Sequence, residues 1–241
     1  MIRKYSYLKY AIAGDINSPE FQNWFKGSVL KRDGQPIVLY HQTSKEAERK
    51  IFEEGYRLDK GRARISDESM PDGIFLKYDE KDIGVGAVEK ADRTQMPFYV
   101  RLKNPLVVRN REELVNELLE NKEYYEAYWD LKEYDNNNKR LNESLWEEMG
   151  THNRGTPEKD AVFERLQKQV NEWSDQVDVL ATKAREIATR YLKQLGYDGV
   201  IMENDAGSFN RSIKTVVVFS TAQIRSAIPE KEIPIRPRIE D

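Results

Sequence analysis

The sequence predicts an α+β fold: one sheet with strands from both ends of the chain, interrupted by a long helical insertion. Three observations carry this. Short apolar runs with strand character, "PIVLYH" from Pro36, "GIFLKY" from Gly73 and "MPFYVRLKNPLVV" from Met96, all precede residue 110. Two more, "YDGVIME" from Tyr197 and "KTVVVFS" from Lys214, follow residue 196. Between the two groups, residues from about 111 to 194 are densely charged and patterned as helix.

Each element has a local reason. Residues 1–17 are aromatic and basic and read as a short N-terminal helical segment. Ser18, Pro19 and Glu20 start a helix, with proline at its first position; Phe21, Trp24 and Phe25 form its apolar face and Gly27 ends it. Asp33-Gly34 is a turn into the first strand. Ser44 is an N-cap for a helix with Ala47, Ile51 and Phe52 on its buried face and Gly55 at its end. "ARISDESMPDG" is a loop, and Asn104-Pro105 interrupts the strands around it.

In the insertion, Leu114, Leu118 and Leu119 mark one helix and Leu141, Leu145 and Met149 another. Asn136, Asn137 and Asn138, and "HNRGTP" from His152, read as breaks. The last helix runs from about Pro157 to Leu195. Its seam is Val162, Leu166, Val170, Trp173, Val177, Leu180, Ala184, Ile187 and Tyr191, spaced mostly by three and four. Two readings stand: a helical hairpin packed within the chain, or a homodimer or partner contact through residues 157–195. The core domain spans residues 18–228 with the insertion at about 111–194, and 229–241 is a flexible, charged tail.

The 241 residues are 39% hydrophobic and 34% charged, with a formal charge of −3. A broad basic face for nucleic acid is therefore not indicated, although a local basic groove stays open. The chain has no cysteine, which excludes disulfides, thiolate metal sites and a cysteine nucleophile. Its two histidines, His41 and His152, lie far apart, so no metal is expected. No signal peptide and no apolar run of membrane length is visible, and a cytoplasmic location is the expectation.

One triplet stands out. The strand "PIVLYH" ends in His41-Gln42-Thr43. On an extended segment, His41 and Thr43 point to the same side. An imidazole and a hydroxyl both donate and accept hydrogen bonds, and such a pair suits a ribose diol. The backbone of Gln42, facing the other way, suits an amide.

The surrounding motifs resemble the ADP-ribosyltransferase superfamily, in its poly(ADP-ribose)-polymerase-like or diphtheria-toxin-like branch. They are like the transferase domains that phages and mobile elements encode within larger polyproteins. The resemblance runs through "SPEFQNWFKGSVLKRDGQPIVLYHQTS", "FEEGYRLDK", "DGIFLKYDE", "YVRLKNPLVV", "LGYDGVIMEN" and "VVVFSTAQIRSAI". It leaves out the helical insertion. It implies a split, mixed sheet and NAD as co-substrate. By that resemblance His41 bonds the adenosine-side ribose, Thr43 reaches the nicotinamide amide, and Gln42 replaces a glycine whose backbone grips it. Arg57 approaches the adenosine, and Gly73 and Phe75, in "GIF", flank the nicotinamide subsite. Arg62 and Arg64 would meet the pyrophosphate.

Two positions depart from the family pattern. A stacking tyrosine is replaced by Gly86, which leaves Tyr78 as the nearby ring. The glutamate of the third motif is replaced by Thr215. Glu203 and Asp205, on the preceding strand, are the nearest acids; Glu203 is the catalytic candidate and Gln223 a weaker polar one. The expected activity is NAD-dependent mono-ADP-ribosylation of a host protein, less so of nucleic acid. The alternative is an inert NAD- or ADP-ribose-binding module.

Overall fold

A computed structural model describes residues 15–54, 70–79, 93–151, 157–207 and 211–227. The expectations for the first fourteen residues, for Gly55, Arg57, Arg62, Arg64 and Gly86, and for the tail fall outside these. The chain divides into two units. One contains described residues 15–54, 72–114 and those from 192 onward. The other lies within Val115–Tyr191, with Met70 and Pro71.

The first unit opens with helix α1 (Pro19–Phe25). Ser18 Oγ accepts from the Phe21 amide at 3.2 Å, which satisfies one donor that a helix start leaves unpaired. Phe21 and Phe25 are buried, and the Phe21 ring meets Tyr99 edge-on at 5.2 Å. Strands β1 (Lys31–Arg32) and β2 (Gln35–Pro36) form a small hairpin. Its two loop residues, Asp33 and Gly34, have φ of 52° and 78°. Two positive φ values in a two-residue loop match the twist of a hairpin, and Asp-Gly is a pair that tolerates them.

The main sheet uses β3 (Val38–Ser44), β4 (Ile74–Lys77), β5 (Arg93–Val100), β6 (Pro105–Val108), β7 (Gly199–Gly207), β8 (Arg211–Val218) and β9 (Ile224–Ser226). Their order is β6-β7-β8-β4-β3-β5-β9. Only β6 and β7 are parallel; the other neighbours are antiparallel. The fold is thus the α+β, mixed-sheet class that the sequence predicts. Leu39, Leu76, Phe98, Ile201 and Val216 share one buried face, with Leu30 and Ile37 from the hairpin region packed onto it.

The ladders are uneven. β3 pairs with β5 from Val38 opposite Tyr99 to Ser44 opposite Arg93. The His-Gln-Thr triplet therefore lies inside a paired strand rather than at its tip. On its other flank β3 meets β4 at one register position, Tyr40 opposite Lys77. β4 pairs with β8 along its whole length. The sheet is thus split between β3 and β4. Helix α2 (Lys45–Glu54) follows β3 directly, and Ser44 Oγ caps it by accepting from the Ala47 amide at 3.1 Å.

Helix α3 (Arg111–Leu119) starts in the first unit and leads into the second. Helices α4 (Lys122–Thr151) and α5 (Pro157–Gln194) pack Leu131 and Tyr134 against Trp173, Val177, Leu180 and Ala181. Part of the α5 seam is therefore used within the chain. Asn136–Asn138 do not break α4. Three asparagines in place of alanine cost about 2 kcal/mol of helix propensity, and Tyr124, Ala127 and Leu131, all buried, hold the helix before them. No helix among the described residues is long and apolar enough to cross a membrane.

Candidate functional site

The split in the sheet is where His41 sits. Its Nδ1 lies 2.9 Å from the Phe75 carbonyl oxygen. A carbonyl only accepts, so Nδ1 carries the proton and Nε2 presents the lone pair. Burial lowers the His41 pKa below its ordinary 6.5; the Phe75 bond opposes this but does not offset it. The imidazole is therefore neutral at physiological pH. It bridges β3 to β4 one residue past the last ladder position.

Thr43, opposite Thr94, shares the His41 face, and both are half-buried. Gln42, opposite Gln95, points to the other face. Phe75 supplies the carbonyl that orients His41. Gly73 precedes β4, where a Cβ would stand 2.6 Å from both Val217 Cγ1 and the Val218 carbonyl oxygen. Only glycine lets the chain approach β8 this closely.

Tyr78 and Glu203 belong to a second cluster. Glu203 is exposed, and Lys214 donates to it at 2.8 Å. The Lys214 ammonium also lies 4.8 Å from the Tyr78 ring centroid. Burial, with the Glu203 charge adding to it, pushes the Tyr78 hydroxyl up to about 12. β8 and β4 lie between Glu203 on β7 and His41 on β3. Three strand spacings amount to about 14 Å across the sheet. The structure thus gathers His41, Thr43, Phe75 and Gly73 around the split, and Tyr78 with Glu203 elsewhere on the sheet.

Asp205, named from the sequence beside Glu203 but not chosen, is the buried acid of the two. Its side chain is 1% exposed. Arg111 donates to both of its oxygens, through Nε to Oδ1 and through the terminal nitrogen to Oδ2. Thr215 Oγ1 donates to Oδ2 at 2.7 Å and Lys77 Nζ at 3.3 Å; Lys77 also reaches Thr215 at 2.7 Å. Burial alone would raise the Asp205 pKa, but the Arg111 bonds, the Lys77 and Arg111 charges and the Thr215 hydroxyl hold it below the usual 3.8. Thr215, at the third-motif position, is fully buried in this knot.

A register shift explains why the burial of Asp205 was hidden. Met202 stands opposite Thr215, yet Asp205 stands opposite Ile213, so β7 has one extra residue between them. Simple alternation would put Asp205 with Glu203 and Ile201. The bulge turns it to the face of Met202, Thr215 and Lys77. Gln223, the other polar candidate, is a brace: its Oε1 accepts from the Phe219 amide at 3.1 Å and its Nε2 donates to the Asp198 carbonyl at 2.7 Å.

A family profile described as "ADP-Ribosyltransferase in polyvalent proteins" matches residues 31–232. The chain belongs to this family. The match takes in both halves of the split sheet, the His-Gln-Thr strand and the helical insertion that the short motifs left out. No curated protein and no solved structure matches the chain. The superfamily named from the motifs is the right one, and the transferase class follows for this ADP-ribosyltransferase domain.

Proposed function

We propose that the domain transfers a single ADP-ribose unit from NAD to a host protein, with nicotinamide as the leaving group. The observation that carries this is the neutral His41 bridging the split between β3 and β4, with Thr43 on the same face. A neutral imidazole is a group that can bond a ribose hydroxyl, and Thr43 adds a second hydrogen-bonding group. Gln42 would grip the nicotinamide amide through its backbone. Gly73 and Phe75 would line the ring's subsite, with Arg57 toward the adenosine. Tyr78, directly after β4, is proposed as the ring in place of the missing stacking tyrosine, with the Lys214 ammonium 4.8 Å from its centroid.

In this reading the bond from nicotinamide nitrogen to ribose C1′ breaks, and its electron pair leaves with nicotinamide. The ribose becomes oxocarbenium-like. A nucleophile of the acceptor then bonds C1′ and gives up its proton. A carboxylate near the ribose would stabilise the positive charge or take that proton, and Glu203 is proposed for this role. Single transfer is favoured over polymer growth because Thr215 stands at the third-motif position, its hydroxyl already donated to Asp205. The same feature favours the second reading, a domain that keeps NAD or ADP-ribose binding without turnover.

The test combines purified protein, NAD and a cytoplasmic lysate, following free nicotinamide and protein-bound ADP-ribose by mass spectrometry. Loss of both signals in His41→Ala is the expected result. NAD bound without turnover in the wild type leaves the binding module. Glu203→Gln is expected to slow nicotinamide release about 100-fold at unchanged NAD affinity; an unchanged rate reduces Glu203 to a partner of Lys214.

A further inference from the structure

A cavity of about 550 Å³ opens between the hairpin and the segment that leads into β6. Lys31 and Arg32 line it from the hairpin, Lys103 from the segment before β6, and Lys214 from β8. Lys214 is paired with Glu203. Among the described residues, Lys31, Arg32 and Lys103 face no carboxylate within ion-pair distance. This is a local cation excess on a chain whose net charge is −3. The groove is also apolar. Val29 and Val107 are 51% and 56% exposed and line it together with Ile37. Lys31 also lies 5.6 Å from the Phe25 ring centroid. Exposed aliphatics beside cations with no described carboxylate partner suit a surface that binds a partner.

We propose that this groove docks an extended peptide segment of the acceptor, one that alternates carboxylates with aliphatic side chains. The carboxylates answer Lys31, Arg32 and Lys103, and the aliphatic groups cover Val29, Ile37 and Val107. A single-stranded nucleic acid would match the charge but not the lining. Stacking of successive bases needs several open aromatic faces, and Tyr78 is the one ring among the described lining residues. That the segment belongs to the acceptor rests on the transferase reading; the docking itself does not.

The full chain is titrated against a fluorescein-labelled peptide alternating glutamate with valine, its glutamine-for-glutamate counterpart, and a labelled oligothymidylate, with anisotropy as the readout. The glutamate peptide is expected to bind, and the glutamine peptide to bind at least about tenfold more weakly. The triple variant Lys31→Glu, Arg32→Glu, Lys103→Glu is expected to lose the glutamate peptide by a similar factor, and Val107→Asp to weaken it. Circular dichroism should be unchanged, because these side chains are exposed. Binding indifferent to the triple variant, no binding at all, or tighter binding of oligothymidylate overturns the proposal. NAD is then added to the same samples and nicotinamide release is measured. Peptide binding with no nicotinamide release in the wild type fails the transferase reading and leaves the groove standing. Release with no peptide binding does the reverse.

Discussion

Strand β4 has two flanks, and they are built differently. Toward β8 it is paired from Ile74 to Lys77, Gly73 sits hard against Val217 and Val218, and Lys77 joins the Asp205 knot. Toward β3 it has one register position and then the His41 bridge. Both flanks contain buried polar chemistry. On the β8 flank the carboxylate of Asp205 is saturated by donors from β4, β8 and α3, so its role ends in holding those elements together. On the β3 flank His41 and Thr43 stand where the two strands part. In the proposed reading, a polar group placed for cohesion sits in a knot of donors, and one placed for binding stands where two strands part.

The comparison can be broken by variants on either flank. The largest effect is expected from His41→Ala, with NAD turnover lost and a stability change of about 1 kcal/mol, the worth of one hydrogen bond. Nicotinamide release and urea denaturation read the two quantities. A large loss of stability with turnover retained would erase the distinction between the flanks. Asp205→Ala removes the carboxylate that Arg111 and Lys77 share. Because both cations keep some access to water, about 3 kcal/mol of destabilisation is expected, again by urea denaturation.

Gly73→Ala forces a methyl group against the Val218 carbonyl, and about 2 kcal/mol is expected from the overpacking. A much smaller cost would mean that the β4–β8 flank is looser than the backbone approach implies. The smallest effect is the pH dependence, which separates the flanks by window. His41 has a lowered pKa when folded, so the unfolded chain binds its proton first. That contribution is complete above 6.5 and declines as the pH falls through the lowered folded value. Asp205, also lowered, contributes above 3.8 and is lost only on further acidification. Stability of the wild type should fall below pH 6.5 by more than that of His41→Asn, measured by thermal unfolding across pH 7 to 5.

What the sequence revealed followed from local chemistry. Ser18-Pro19 announced α1, Asp33-Gly34 the hairpin and Ser44 the cap of α2, because each signal acts within a few residues. His41 and Thr43 were legible for the same reason, since period-two alternation puts them on one face. Asp205 was legible as a nearby acid but not as the centre of a buried knot. Its direction depends on one extra residue in β7, and its donors Lys77 and Arg111 come from distant points of the chain. A split sheet was implied by the family resemblance, but its place between β3 and β4 was hidden, because residue patterns specify strands and not where two of them part. Asn136–Asn138 misled because propensity is weak beside the packing of a 30-residue helix.

The parallel pairing of β6 with β7 has a kinetic consequence. Pro105 lies opposite Gly199, so closing this ladder encloses a loop of about 90 residues, an entropy cost of about 4 kcal/mol for a flexible chain. The chain between them is not flexible once α4 and α5 have zipped along Leu131, Val177 and Ala181, contacts made between consecutive helices. Local helical pairing forms faster than distant strand pairing. The insertion is therefore expected to shorten the search that brings the last strands back to the first. Pulse-labelled hydrogen exchange during refolding should protect the α4 and α5 amides before those of β7, and the reverse order would exclude such a route.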